Sequence, residues 1–184
     1  MRELETLLEP WEDALVPALA RLERVCERGV EVYVAEYGDY HNANAVVRLH
    51  PATAELEFVL STRLLRCAPP VIDAAVGHEV GHVVLGHLVR RLDQLAAVPT
   101  SQLAHGILPP WPARWEYEAD CFAAACYLAR GVDPRPIFHD LFAEIRRNVA
   151  RSHTDPERRQ KIIDRYTSMW YRLTKRMPER GGVR

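Results

Sequence analysis

The sequence predicts an α+β protein, mainly helical, with a small, largely antiparallel three-stranded sheet standing ahead of a long central helix. Three observations carry that prediction. Apolar residues recur at helical spacing at the N-terminus and through most of the second half. Three short stretches between residues 30 and 61 have strand character. The apolar run Val71–Leu88 contains His78-Glu79-Val80-Gly81-His82, a polar cluster that is costly to bury without a task.

Taken in order, Leu4, Leu7, Leu8, Trp11, Leu15, Leu19, Leu22 and Val25 form one buried helical stripe within residues 2–28. Pro10 and Pro17 interrupt it, so a break or kink is expected near one of them, and Gly29 is expected to end the helix. Val30–Tyr37 reads as a strand. Two more follow at about Ala45–His50 and Glu55–Ser61, where Leu56, Phe58 and Leu60 share a face. The polar segment 38–44 is a loop, and His50-Pro51-Ala52-Thr53 is a turn. Thr62–Cys67 is a short helix closed by Ala68-Pro69-Pro70. A long helix is expected over 71–97. Residues 99–112, with four prolines, then read as an irregular surface loop that either covers a cleft with Trp111 or merely connects. Helices follow at about Arg114–Arg130, at Pro134–Ala150 with Asp133 as N-cap and Pro134 in the first turn, and at Pro156–Arg176.

The length suits one domain over 1–184: a helical segment 1–29, the sheet 30–61, the histidine-bearing helix 71–97 and the C-terminal helices 114–176. A formal net charge of −1 gives no reason to expect nucleic acid or an acidic membrane as partner. The basic residues Arg146, Arg147, Arg151, Arg158, Arg159 and Lys161 read as a solvated helix face. No apolar stretch approaches the roughly 20 residues of a membrane span, and the acidic N-terminus lacks signal-peptide form. Cys26, Cys67, Cys121 and Cys126 make no CxxC pair, which points to reduced cysteines in a cytoplasmic protein. Oligomeric state is not legible.

His78 and His82 lie four apart on a helix and project from one face, so both imidazoles reach one metal ion, while Glu79 reaches a water bound to that ion. Catalytic zinc takes three protein ligands and leaves one position for water. Glu116 is the candidate third ligand, since it opens a helix long enough to pack on the first. Asp120, one turn on, is placed to accept the other ring N–H of a ligating histidine. Glu118, about 160° round that helix, reads as a solvent-facing charge. His87, about 140° from His82, reads as a core or supporting histidine rather than a ligand. Cys121 reads as a small buried residue.

His-Glu-Val-Gly-His followed by Glu116-x-x-Ala119-Asp120 resembles the HtpX-like gluzincin metallopeptidases, the group that also holds the CAAX prenyl protease type. Val32-Tyr33-Val34, Asn44-Ala45 and Val59–Leu65 resemble that family's strands and Asn-Ala turn. Ser152–Arg159 resembles its C-terminal Thr-His-Pro-x-x-x-x-Arg segment. Similarity covers roughly residues 30–165, and the soluble minigluzincins are nearest in size. Thr154 departs from the family's proline, Pro112-Ala113-Arg114 stands where Ser-Arg often precedes the glutamate, and the transmembrane segments of the membrane members are missing.

The resemblance implies a zincin-like fold and a zinc endopeptidase. One Zn2+ per chain would be held by His78, His82 and Glu116, with Glu79 as general base, Asp120 behind the ligands, and His153, supported by Arg159, facing the developing oxyanion. The partner would be a peptide or protein substrate lying extended beside an edge strand, either 55–61 or the Asn44-Ala45 region. Two rivals stay open. Gly81–His87 and Ala119–Ala124 also resemble the ImmA/IrrE regulatory peptidases that act on repressors, and a zinc-stabilised interaction module without turnover is possible from the ligand set alone, although Glu79 would be idle in it.

Overall fold

A computed structural model describes residues 4–105, 108–147 and 155–174. Within it the chain runs through two short 3-10 turns into α1 (Glu12–Cys26), then β1 (Glu31–Tyr37), β2 (Ala45–His50), β3 (Glu55–Ser61), α2 (Pro69–Val84), α3 (His87–Ala96), α4 (Thr100–Ala104), α5 (Ala113–Ala129), α6 (Pro134–Arg147) and α7 (Pro156–Thr174). The α+β expectation, mainly helical with a small sheet ahead of the histidine helix, holds.

The sheet differs in pairing. Its order is β1-β3-β2, with β1 parallel to β3 and β2 antiparallel to it, so it is mixed rather than largely antiparallel. The cause is β3, the most apolar strand, in which Leu56, Phe58, Val59 and Leu60 are all buried. A strand buried on both faces takes the middle. The loop 38–44 therefore crosses from β1 over the end of β3, held by Ser61 N–H to Asn44 O (2.9 Å) and Arg63 N–H to Asp39 O (2.9 Å). As the central strand, β3 has no free edge. Of the two edges proposed for a peptide, only the one beginning at Asn44-Ala45 survives.

α1 shows the expected break near a proline but ends differently from expectation. The change from 3-10 to α geometry comes at Trp11, beside Pro10, while Pro17 lies inside the helix. Glu27, at φ 56°, takes the left-handed position at the end of the helix that Gly29 was expected to fill. Trp11, 1% exposed, anchors this region: its indole N–H donates to Asp73 Oδ1 (3.0 Å), and its ring occupies the space where a Cβ on Gly77 would stand.

From Ala74 to Val83 α2 is buried around its whole circumference, as a helix enclosed by others must be. It packs on α1, β2, α5 and α6, which makes it the axis of the core. The expected single helix over 71–97 is broken. Leu85 caps α2 and Gly86, at φ 72°, turns the chain before α3 begins at His87. This left-handed step favours glycine. The segment 99–112 is not wholly irregular, because Thr100–Ala104 form a one-turn helix opened by Gln102 N–H to Pro99 O (2.9 Å). Asp133 caps α6 as expected, accepting from Arg135 N–H (3.0 Å).

Candidate metal centre

The site lies where α2 meets α5. Their contact is built from small residues: a Cβ on Gly81 would stand 3.0 Å from Ala119 Cα and O, so the backbones approach more closely there than a side chain would permit. That approach brings Glu116 of α5 over the two histidines of α2. His78 Nε2 and His82 Nε2 are 3.1 Å apart, Glu116 Oε2 is 3.4 Å from His78 Nε2, and Glu116 Oε1 is 3.5 Å from His82 Nε2.

These separations test whether the residues suit a metal. Bonds of about 2.0–2.1 Å in a tetrahedron give ligand–ligand edges of about 3.3 Å. The three measured edges bracket that value, and the donor set of two imidazoles and one carboxylate is one that catalytic zinc takes. Among the described residues this trio is the one group of three such side chains close enough to hold an ion.

Each histidine is steadied from behind. His78 Nδ1 lies 2.8 Å from Asp120 Oδ1. Asp120, fully buried, accepts from Arg159 Nε at Oδ2 (2.7 Å) and from Arg159 Nη2 at Oδ1 (2.7 Å). Arg159, grouped by its neighbours with a solvated basic face but placed at the site by the family resemblance, is itself buried. It lies over the Phe142 ring at 4.8 Å and places Nη1 3.6 Å from Glu116. His82 Nδ1 lies 2.9 Å from His87 Nδ1, and His87 Nε2 lies 3.0 Å from Glu118 Oε2. Glu118 therefore does not simply face solvent. The turn at Gly86 swings His87 back beside His82 and gives Glu118 a partner that an unbroken helix would have carried away.

Trp111, at the end of the proline-rich segment, also belongs to the site. Its indole N–H donates to Glu116 Oε1 (2.7 Å), and its ring stands edge-on to His82 at 5.2 Å. Arg91 ties the preceding stretch of chain down by donating to Pro109 O (2.8 Å).

Glu79 is buried on the sheet side, and Val47 N–H donates to its Oε2 (2.9 Å). Because Asn44 pairs with Ser61 through Ser61 N–H, the antiparallel alternation turns Ala45, Val47 and Leu49 outward from β3. Glu79 thus lies along the free edge of β2. Burial lifts its carboxyl to about 7, against the opposing pull of His78. Burial also works against the charges of Glu116 and Asp120, yet His78 and Arg159 hold both below the ordinary carboxylate range. Burial opposes a charge on His78, but Asp120 overcomes it and raises that imidazole to about 10; burial, then His78, push His82 down to about 3. Cys121 is raised by burial to about 11, as suits a packed thiol.

His78, Glu79, His82, Glu116, Asp120 and Arg159 are therefore brought together, while His153 lies outside the described residues. Sequence reasoning missed the part of Glu118, and it named Trp111 only as a candidate cover for the cleft, without its bond to Glu116. No helix among the described residues is long and apolar enough to cross a membrane. A model of peptidase family M48 matches residues 7–111, which takes in α1, the sheet, α2 and α3 and stops five residues short of Glu116. No curated protein matches the chain.

Proposed function

With more than half its length matching, the chain belongs to peptidase family M48, a family of metallopeptidases, and from that premise we propose that it is a zinc endopeptidase of the HtpX-like type using His78, His82 and Glu116 as ligands and Glu79 as general base. The observation that carries this reading is the convergence of three donor atoms at tetrahedral spacing beside a buried carboxylate on a free strand edge.

A bound zinc ion would acidify its water and polarise the scissile carbonyl. The protein's own groups do the rest. Glu79 takes a proton from the attacking water and returns it to the leaving amine, and its position against Val47 N–H keeps one oxygen held while the other is free to act. Asp120 accepts His78 Nδ1–H and so keeps Nε2 available for the metal. Arg159 neutralises Asp120 and serves as a positioning residue. His153 is the proposed donor to the developing oxyanion. An extended peptide adds to the edge of β2, hydrogen-bonding the outward main-chain groups of Ala45 and Leu49, while the Val47 N–H stays with Glu79. The substrate class is peptide or protein.

The test is Glu79→Gln, measured for metal content and for cleavage of a peptide library. Zinc should stay at one equivalent while turnover falls about 10²–10⁴-fold, the usual contribution of a general base. Wild-type protein loaded with one zinc that cleaves nothing, or a Glu79→Gln variant that cleaves normally, would overturn the assignment.

A further inference from the structure

The two histidines are backed by different chemistry. Behind His78 stands a buried carboxylate, Asp120, already neutralised by Arg159. Behind His82 stands a second imidazole, wholly buried, stacked on Trp115 with ring centroids 5.2 Å apart and planes 7° from parallel. We propose that His87 is a positioning residue that fixes the tautomer of the ligand His82, and that Glu118 sets the direction of this hydrogen-bond chain from the protein surface.

The direction follows from donor counting, and it rests on the metal reading above. For His82 to ligate through Nε2, its proton must sit on Nδ1. The partner of Nδ1 is His87 Nδ1 at 2.9 Å, which must then accept. A neutral imidazole accepting at Nδ1 carries its proton on Nε2, and that nitrogen lies 3.0 Å from Glu118 Oε2, an acceptor in every ionised state. The opposite sense fails, since a carboxylate cannot donate to His87. The chain therefore has one allowed polarity: His82 to His87 to Glu118. Glu118 is held in turn by Arg114 at 3.0 Å, with its side chain 36% exposed. It stands two residues after Glu116 on α5, so the helix that supplies the third ligand also sets the tautomer of the second. Gly86 makes this possible, for its left-handed turn is what aims His87 at His82.

The experiment measures zinc affinity by chelator competition on the full chain, alongside the visible absorption of the Co2+-substituted protein and the fold by circular dichroism. His87→Leu removes both nitrogens at similar volume and should weaken zinc about 10–100-fold, with a shifted cobalt spectrum. His87→Gln, whose amide offers one acceptor and one donor, should regain most of that loss. Glu118→Ala at the partly exposed end should weaken zinc several-fold, whereas Glu118→Gln, whose oxygen still accepts, should stay close to wild type. These Glu118 variants decide the matter if His87→Leu fails to fold. Folded His87→Leu with wild-type affinity and an unchanged cobalt spectrum would overturn the proposal, as would Glu118→Ala and Glu118→Gln that both match wild type. Wild-type protein that takes up no stoichiometric zinc would instead remove the metal reading, and the relay with it.

Discussion

Asp120→Asn changes one oxygen into an amide nitrogen in a side chain that is 0% exposed, and the surrounding distances set what that costs. The remaining carbonyl oxygen still accepts from His78, so the ring keeps its orientation. The loss falls on Arg159, whose guanidinium is buried and spends two donors on Asp120 at 2.7 Å each. Its other acidic neighbour, Glu116, is at 3.6 Å. Stranding one member of a buried ion pair costs about 3–5 kcal/mol, and the residual Glu116 contact favours the lower end, about 3 kcal/mol. With a urea slope of about 2–3 kcal/mol/M, the midpoint should fall by about 1–1.5 M in the presence of a chelator. The depressed carboxyl of Asp120 supplies a second reading. A group with lowered folded pKa stabilises above its ordinary value and loses that contribution as pH falls through the folded value, so the gap between wild type and Asp120→Asn should close in acid. Adding Arg159→Met removes the orphaned charge and should restore at least half the loss. A single variant within about 0.5 kcal/mol of wild type, or a double variant as weak as the sum of its parts, would refute the reasoning.

Gly77→Ala should destabilise by about 1–3 kcal/mol through overpacking, because the new methyl would meet Trp11 Cη2 and Cζ2 at 2.3 Å; thermal melting checks it, and an unchanged midpoint would mean that Trp11 has room to move. Zinc affinity should rise with pH, since His78, raised to about 10, must give up a proton to ligate. Across pH 6–8 the slope should approach about one proton, or tenfold per pH unit, and a flat profile would contradict it. Trp111→Phe removes the donor to Glu116 Oε1 and should weaken zinc by several-fold without unfolding the chain; equal affinity would show that Glu116 is held by its other neighbours alone.

What the sequence reveals of this site depends on the range of each interaction. His78, Glu79 and His82 are legible because a spacing of four on one helix settles which face they share. Glu116 and Asp120 are a helix away, so their spacing of four makes them candidates and the resemblance to a known motif is what singles them out. His87 was legible as a core or supporting histidine, but its partner Glu118 escaped because projecting angles down a helix assumes that the helix continues, and Gly86 breaks it after one residue of left-handed backbone. Arg159 entered the site only through the family resemblance, since its neighbours in sequence read as a basic face; its burial comes from α7 packing on α5, which periodicity cannot see. The three strands are legible to within a residue at their ends, but alternation reports which side of a strand is buried, not which neighbour it pairs with, so the parallel β1–β3 pairing was out of reach.

The bond from Val47 to Glu79 joins the proposed general base to a rail of main-chain groups. Such a rail reads backbone, not side chains, and it can be met only by a chain whose own amides are unengaged. A stretch already committed to a helix or to the interior of a sheet has none to offer. A protein bound there must first open several residues locally, so its rate of cleavage would follow the equilibrium population of that opening when reclosing is fast. Selectivity among folded targets would then be a property of the targets' local stability as much as of any pocket on this one.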